Sequence, residues 1–192
     1  MKHTIQQEAH GVAVFIGTMW VVFLLDWIVP IQFSAWGIVP RTAWGLLGIP
    51  LTPFLHAGFG HLISNTIPLA ILLMLLAGSR TQSWSTVAEI ILLGGGLLWL
   101  CGRSTTHIGA SSLVYGLIAF LIVSGFRERR LVPLAVAILV GFLYGGTLLA
   151  GVLPNVGPNV SWDGHLCGAI AGGWLGYYGV EASRDEPPRE PT

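Results

Sequence analysis

Apolar residues in this chain run on for about twenty positions at a time before a polar or turn-forming cluster interrupts them. Crossing about 30 Å of hydrocarbon takes about twenty residues at 1.5 Å rise. Six runs approach that length: Gly11 to Val29, Gly58 to Ala77, Thr86 to Leu100, Ile108 to Gly125, Leu131 to Ala150 and Gly164 to Val180. The third is short, with Gly94, Gly95 and Gly96 inside it. Between the runs lie segments whose turn and charged residues let the backbone leave lipid: Ile38 to Pro50, Gly78 to Ser85, Gly102 to His107, Arg127 to Arg130 and Pro154 to Trp162. The pattern predicts an all-α membrane protein built as a bundle of six transmembrane helices. Residues 1–10 read as an amino-terminal segment, 11–180 as the helical domain, and 181–192, with Pro187, Pro188 and Pro191 among charges, as a disordered tail. The first run lacks a small-residue cleavage site, so it is expected to be a permanent span.

Composition agrees with that reading. The chain is 53% hydrophobic and 9% charged, against roughly 25% charged residues in soluble domains. Net charge is zero and no basic block occurs, so no nucleic-acid partner is expected. Cys101 and Cys167 sit in apolar stretches and read as buried free thiols. Lys2, Arg80, Arg127, Arg129, Arg130, Arg184 and Arg189 fall on one side of the alternating segments, and Arg41 and Arg103 on the other. The excess of positive charge predicts that both termini are cytoplasmic.

Polar residues inside apolar spans are costly and point to function. His56, His61 and Asn65 cluster where the second span begins, Ser111, Ser112 and Tyr115 where the fourth begins, and His165 where the sixth begins. With the orientation above, these three spans all run inward from the outer face, so the residues share one depth. A serine hydroxyl becomes a nucleophile when a neutral imidazole takes its proton, and Ser111 with His165 is the candidate pair. His107 is a rival base, placed in a connector. Asp163 reads as the N-cap of the sixth span rather than as the third member of a triad. Tyr115, four residues after Ser111, lies on the same helical face, where its ring can stack on an imidazole. His61 and Asn65, also four apart, can aim two donors at one developing oxyanion, which the Ser111 amide can join. Gly168, Gly172 and Gly176 fall on the stripe that carries His165 and allow close helix contact.

At these residues the sequence resembles the rhomboid family of intramembrane serine proteases. Gly109, Ala110, Ser111 and Ser112 resemble the family's GASG motif, with Ser112 in place of the last glycine; Tyr115 follows the nucleophile by the family's four positions. His165, Gly168 and Gly172 resemble its HxxGxxxG stretch, and His61 with Asn65 its HxxxN motif. The resemblance covers roughly Gly11 to Val180. It implies a rhomboid-like bundle with a Ser111–His165 dyad, an oxyanion pocket lined by His61 and Asn65, His56 as a further polar residue near a water-accessible cavity, and a cap over the site formed by Gly151 to Trp162. It also implies no metal or organic cofactor, single-span membrane proteins as substrates within the lipid bilayer, and the cell membrane as location. The first connector lacks the family's Trp-Arg pair, so the resemblance implies a shortened or absent hairpin there. The competing expectation is a catalytically inactive rhomboid-like protein that binds membrane segments without cutting them. Interrupted spans in corresponding halves, the sign of a transporter, are not visible.

Overall fold

The computed structural model describes residues 5–79, 83–154, 157 and 160–185. Within them lie seven helices: α1 (Ile5–Ile28), α2 (Gly45–Leu51), α3 (Phe59–Ser79), α4 (Ser83–Cys101), α5 (Ser111–Glu128), α6 (Leu131–Gly151) and α7 (Trp162–Asp185). Five of them, α1, α3, α4, α5 and α6, are long and apolar enough to cross a bilayer. The protein is therefore an all-α, integral multi-pass membrane protein. Helix α7 has the length, 24 residues, but its glycines and its polar first turn, with Asp163 and His165, keep it out of that apolar group. A sixth run was expected to match the others, and composition separates it from them.

Other boundaries move for identifiable reasons. Helix α1 already starts at Ile5, and α7 continues to Asp185, into the expected tail; residues 1–4 and 186–192 lie outside the described part. Helix α5 starts at Ser111 rather than Ile108 because Gly109 takes φ +110°, a left-handed conformation that ends any helical continuation upstream. The stretch between α1 and α3, which includes the connector expected at Ile38 to Pro50, contains a 3₁₀ turn over residues 33–36, helix α2 and a second 3₁₀ turn over residues 52–54. Its glycines let it pack closely: a Cβ on Gly48 would strike the Gly37 carbonyl, and one on Gly45 the Val39 carbonyl.

Helix α5 is the axis of the bundle. It packs against α7, α6, α3 and α4, while α1 leans on α3. Leu62, Leu69, Leu72, Leu117 and Ile118 are fully enclosed, whereas Leu131 and Phe142 are each 87% exposed, as suits side chains that face lipid. Between helices in lipid the hydrophobic effect supplies little association, so close backbone packing must supply it. The α5–α7 seam shows this. Cβ atoms built on Gly168, Gly172 and Gly176 would meet the carbonyl oxygens of Ser112, Gly116 and Phe120 respectively. Each pair is separated by the same number of positions, so α5 and α7 run parallel and in register. Extending that register by one turn sets His165 level with Gly109, about 3 Å of helical rise above Ser111.

Candidate active site

The loop entering α5 places the serine. Backbone N–H of Gly109 donates to the Thr52 carbonyl at 3.0 Å, which fixes the loop to the segment before α3. Its α-carbon lies against the His61 ring: an added Cβ would come within 2.6 Å of Cε1 and Nε2, and 3.7 Å of Asn65 Nδ2. Ser111, two residues on, is the first helical residue and is half-buried. The amides of the first turn of α5 have no partners within the helix and face its N-terminal end, where Ser111 stands. His61 and Asn65 thus flank the serine-bearing loop. One amide hydrogen of Asn65 is engaged by the His61 carbonyl at 2.9 Å.

His165 is held from two sides. Its ring stacks on Tyr115 with centroids 4.1 Å apart and planes within 6°. Its Nδ1 lies 2.9 Å from the Gly151 carbonyl oxygen. A carbonyl only accepts, so Nδ1 carries the hydrogen and, in the neutral imidazole, Nε2 keeps its lone pair. The tautomer is therefore set by the end of α6. Tyr115 is anchored in turn by donation from its hydroxyl to the Thr147 carbonyl at 3.2 Å, and a Cβ on Gly151 would collide with that hydroxyl. Gly151, expected as the first residue of the cap, is the last residue of α6; residues 155, 156, 158 and 159 of that cap lie outside the described part, and Thr147 carries no signal of this contact in the sequence.

Among the described residues no hydrogen bond joins Ser111 to His165. Ser112 is placed differently from Ser111: its Oγ sits in the crease between α4 and α7, 2.8 Å from a Cβ built on Gly168 and 3.5 Å from one built on Gly94. Asp163 does not cap α7. Ser161, just before the helix, accepts the His165 amide through its carbonyl at 3.0 Å, and the Asp163 carboxylate turns to Arg103, taking its backbone amide at 2.9 Å and its guanidinium at 3.0 and 3.2 Å. That bonding raises the Arg103 pKa further above its ordinary value. His107 is buried with Ser161 Oγ at 2.7 Å and the Arg103 carbonyl at 3.0 Å on its two nitrogens. Among the described residues no group of three or more His, Cys, Asp or Glu side chains is placed to hold a metal ion. Of the two cysteines, Cys167 is buried as expected, whereas Cys101 is exposed at the end of α4.

His56 lies in the connector before α3, 3% exposed, with neither ring nitrogen hydrogen-bonded. Its ring meets that of His61 edge-on at 5.1 Å. Burial first, and the neighbouring His61 second, push its pKa down from 6.5 to about 4. A depressed folded-state pKa means that the unfolded chain binds the proton more readily. Its contribution is therefore complete above pH 6.5 and is lost as pH falls toward 4, up to about 3 kcal/mol for this one group. Thermal unfolding in detergent should show the midpoint falling across that window, and His56→Gln should flatten the fall.

Comparison with known proteins gives a consistent picture. A model of the Rhomboid domain matches residues 40–182. Uncharacterized proteins of Mycobacterium tuberculosis and Mycobacterium bovis are 42% identical over 168 residues, which is 82% of this chain and 69% of theirs. An uncharacterized protein of Mycobacterium leprae is 41% identical over 168 residues, 82% of this chain and 66% of its own.

Proposed function

The chain belongs to the rhomboid family, and from that premise we propose that it is an intramembrane serine endopeptidase that cleaves single-span membrane proteins with a Ser111–His165 dyad. In this reading α7 is a sixth span, packed on α5 and α4 along one face and turning Ile170 and Trp174 outward on the other, and both termini are cytoplasmic, in the cell membrane. The observation that carries the proposal is the fixed tautomer of His165: Gly151 holds Nδ1, Tyr115 holds the ring plane, and Nε2 is left as a proton acceptor at the depth of Ser111.

The chemistry follows from those groups. Ser111 Oγ attacks the scissile carbonyl carbon while its proton passes to Nε2 of His165. Negative charge gathers on the former carbonyl oxygen, where the Ser111 amide, His61 and Asn65 stabilise it. The imidazolium then protonates the leaving amine, giving an acyl-enzyme. Water, deprotonated by the same nitrogen, releases the second product. No hydrogen bond joins Ser111 to His165 among the described residues, and catalytic hydrogen bonds of this kind commonly tighten only when substrate is bound. Substrates should be helices that unwind readily near the outer face, since helical hydrogen bonding shields a peptide bond.

The test is to incubate the purified protein with a panel of single-span helices and, separately, with a serine-reactive fluorophosphonate. Cutting and labelling are the expected results. A protein that binds the helices but neither cuts nor labels is an inactive segment-binding relative instead. Within an active enzyme, His61→Ala should lower kcat by about 10²- to 10³-fold with KM little changed, the signature of a group acting on the transition state. Asn65→Ala should cost less, because one of its amide hydrogens is already engaged by the His61 backbone.

A further inference from the structure

Two connectors at the outer face are locked together by side chains outside the dyad. Asp163, 6% exposed in the first turn of α7, accepts three hydrogen bonds from Arg103, one from its backbone and two from its guanidinium. The same guanidinium donates to the Val160 carbonyl at 3.0 Å and lies 5.4 Å from the Trp162 ring centre. The imidazole of His107 bridges the two segments from below, with Nε2 donating to the Arg103 carbonyl and Nδ1 bonded to the Ser161 hydroxyl. Ser161 Oγ is also 3.3 Å from Asp163 Oδ1. The His107 backbone is paired in both directions with Ile38, at 2.8 and 2.9 Å, which adds the first connector to the assembly.

The placement gives this network its consequence. Arg103 and His107 belong to the loop that leads into Ser111, while Ser161 and Asp163 begin the helix that carries His165. Lower down, the glycine seam sets how close α5 and α7 lie; at the top, where seam contacts end, this network is what holds the two segments together. An exposed ion pair is weak, but a buried carboxylate gripped by a planar guanidinium fork fixes direction as well as distance.

We propose that Arg103, His107, Ser161 and Asp163 form a clamp that fixes the start of α7 against the loop entering α5, making Arg103 and Asp163 positioning residues for the Ser111–His165 pair. The inference rests on the catalytic reading above. Displacements of about 1 Å at reacting groups cost up to about 10²-fold, so Asp163→Asn and Arg103→Gln should each lower kcat per active site by about 10- to 100-fold with KM nearly unchanged. The double variant should be no slower than the worse single, because both remove one interaction. Arg103→Lys, which keeps the charge and loses the fork, should fall between wild type and Arg103→Gln.

Active-site titration with fluorophosphonate separates this from simple unfolding, which would lower the number of sites and leave kcat per site alone. Amide exchange at His165 gives a readout independent of turnover and should quicken about tenfold in Asp163→Asn. Wild-type kcat per site in Asp163→Asn, or losses that multiply in the double variant, would overturn the clamp while leaving the protease reading intact. Should Asp163→Asn fail to fold, unchanged kcat in Arg103→Lys has the same force. A wild type that neither labels nor cuts overturns both proposals together.

Discussion

Ser111→Ala is expected to reduce cleavage of a single-span substrate by about 10⁴- to 10⁶-fold, the loss seen when the nucleophile of a serine protease is removed. Ser112→Ala should stay within about threefold of wild type in the same assay. The adjacent hydroxyls are a fair internal contrast, because they differ by one position in sequence and by about 100° in direction. Ser112 Oγ lies in the α4–α7 crease against Gly168 and Gly94, where a peptide bond has no room to approach. Ser111 stands at the head of α5, beside the loop that His61 and Asn65 flank. Fluorophosphonate labelling should disappear with Ser111→Ala and persist in Ser112→Ala. The reverse result would move the nucleophile into the helix seam and dismantle the account of the oxyanion pocket. His165→Ala should match Ser111→Ala within about tenfold, since groups acting as one unit are not additive.

What the sequence discloses of this molecule follows physical range. Long apolar runs define α1, α3, α4, α5 and α6 because lipid selects for length and apolarity together. The depth of the polar residues is legible for the same reason: once span direction is known, the heads of α3, α5 and α7 lie in one layer. Helix α2 escapes because its seven residues, with Pro50 inside, have no period to detect; tertiary contact at Gly45 and Gly48 holds it. The support of His165 by Gly151 escapes as well, since a backbone carbonyl has no sequence signature. Asp163 suggests a cap in the sequence because a carboxylate at a helix start has that local use, whereas in the structure it bonds Arg103. Its partner Arg103 is sixty positions away, and nothing in the intervening sequence advertises the pairing. The seam glycines are a middle case: their spacing predicts a close approach, but which carbonyl each one meets is set only by the register of α7 on α5.

That register supports the last expectation, Gly168→Val. A Cβ at Gly168 would collide with the Ser112 carbonyl, which is backbone inside a helix and has no flexible end to swing aside. The two helices must separate there, and a β-branched side chain also brings stiff methyl groups into the contact. His165 rides one turn above on the same helix, so the separation draws its ring off Tyr115 and away from Ser111. A shift near 1 Å accounts for about a 10²-fold loss in kcat, and overpacking for about 1 to 3 kcal/mol of stability. Gly173→Ala is the matched control: no atom lies within 4 Å of its added Cβ, and replacing a mid-helix glycine stabilises by roughly 0.5 to 1 kcal/mol. Activity and thermal midpoint should therefore fall together in Gly168→Val, while Gly173→Ala keeps its activity and melts slightly higher. Equal effects at the two sites would mean that glycine content, rather than the meeting of α7 with the Ser112 carbonyl, sets the geometry of the site.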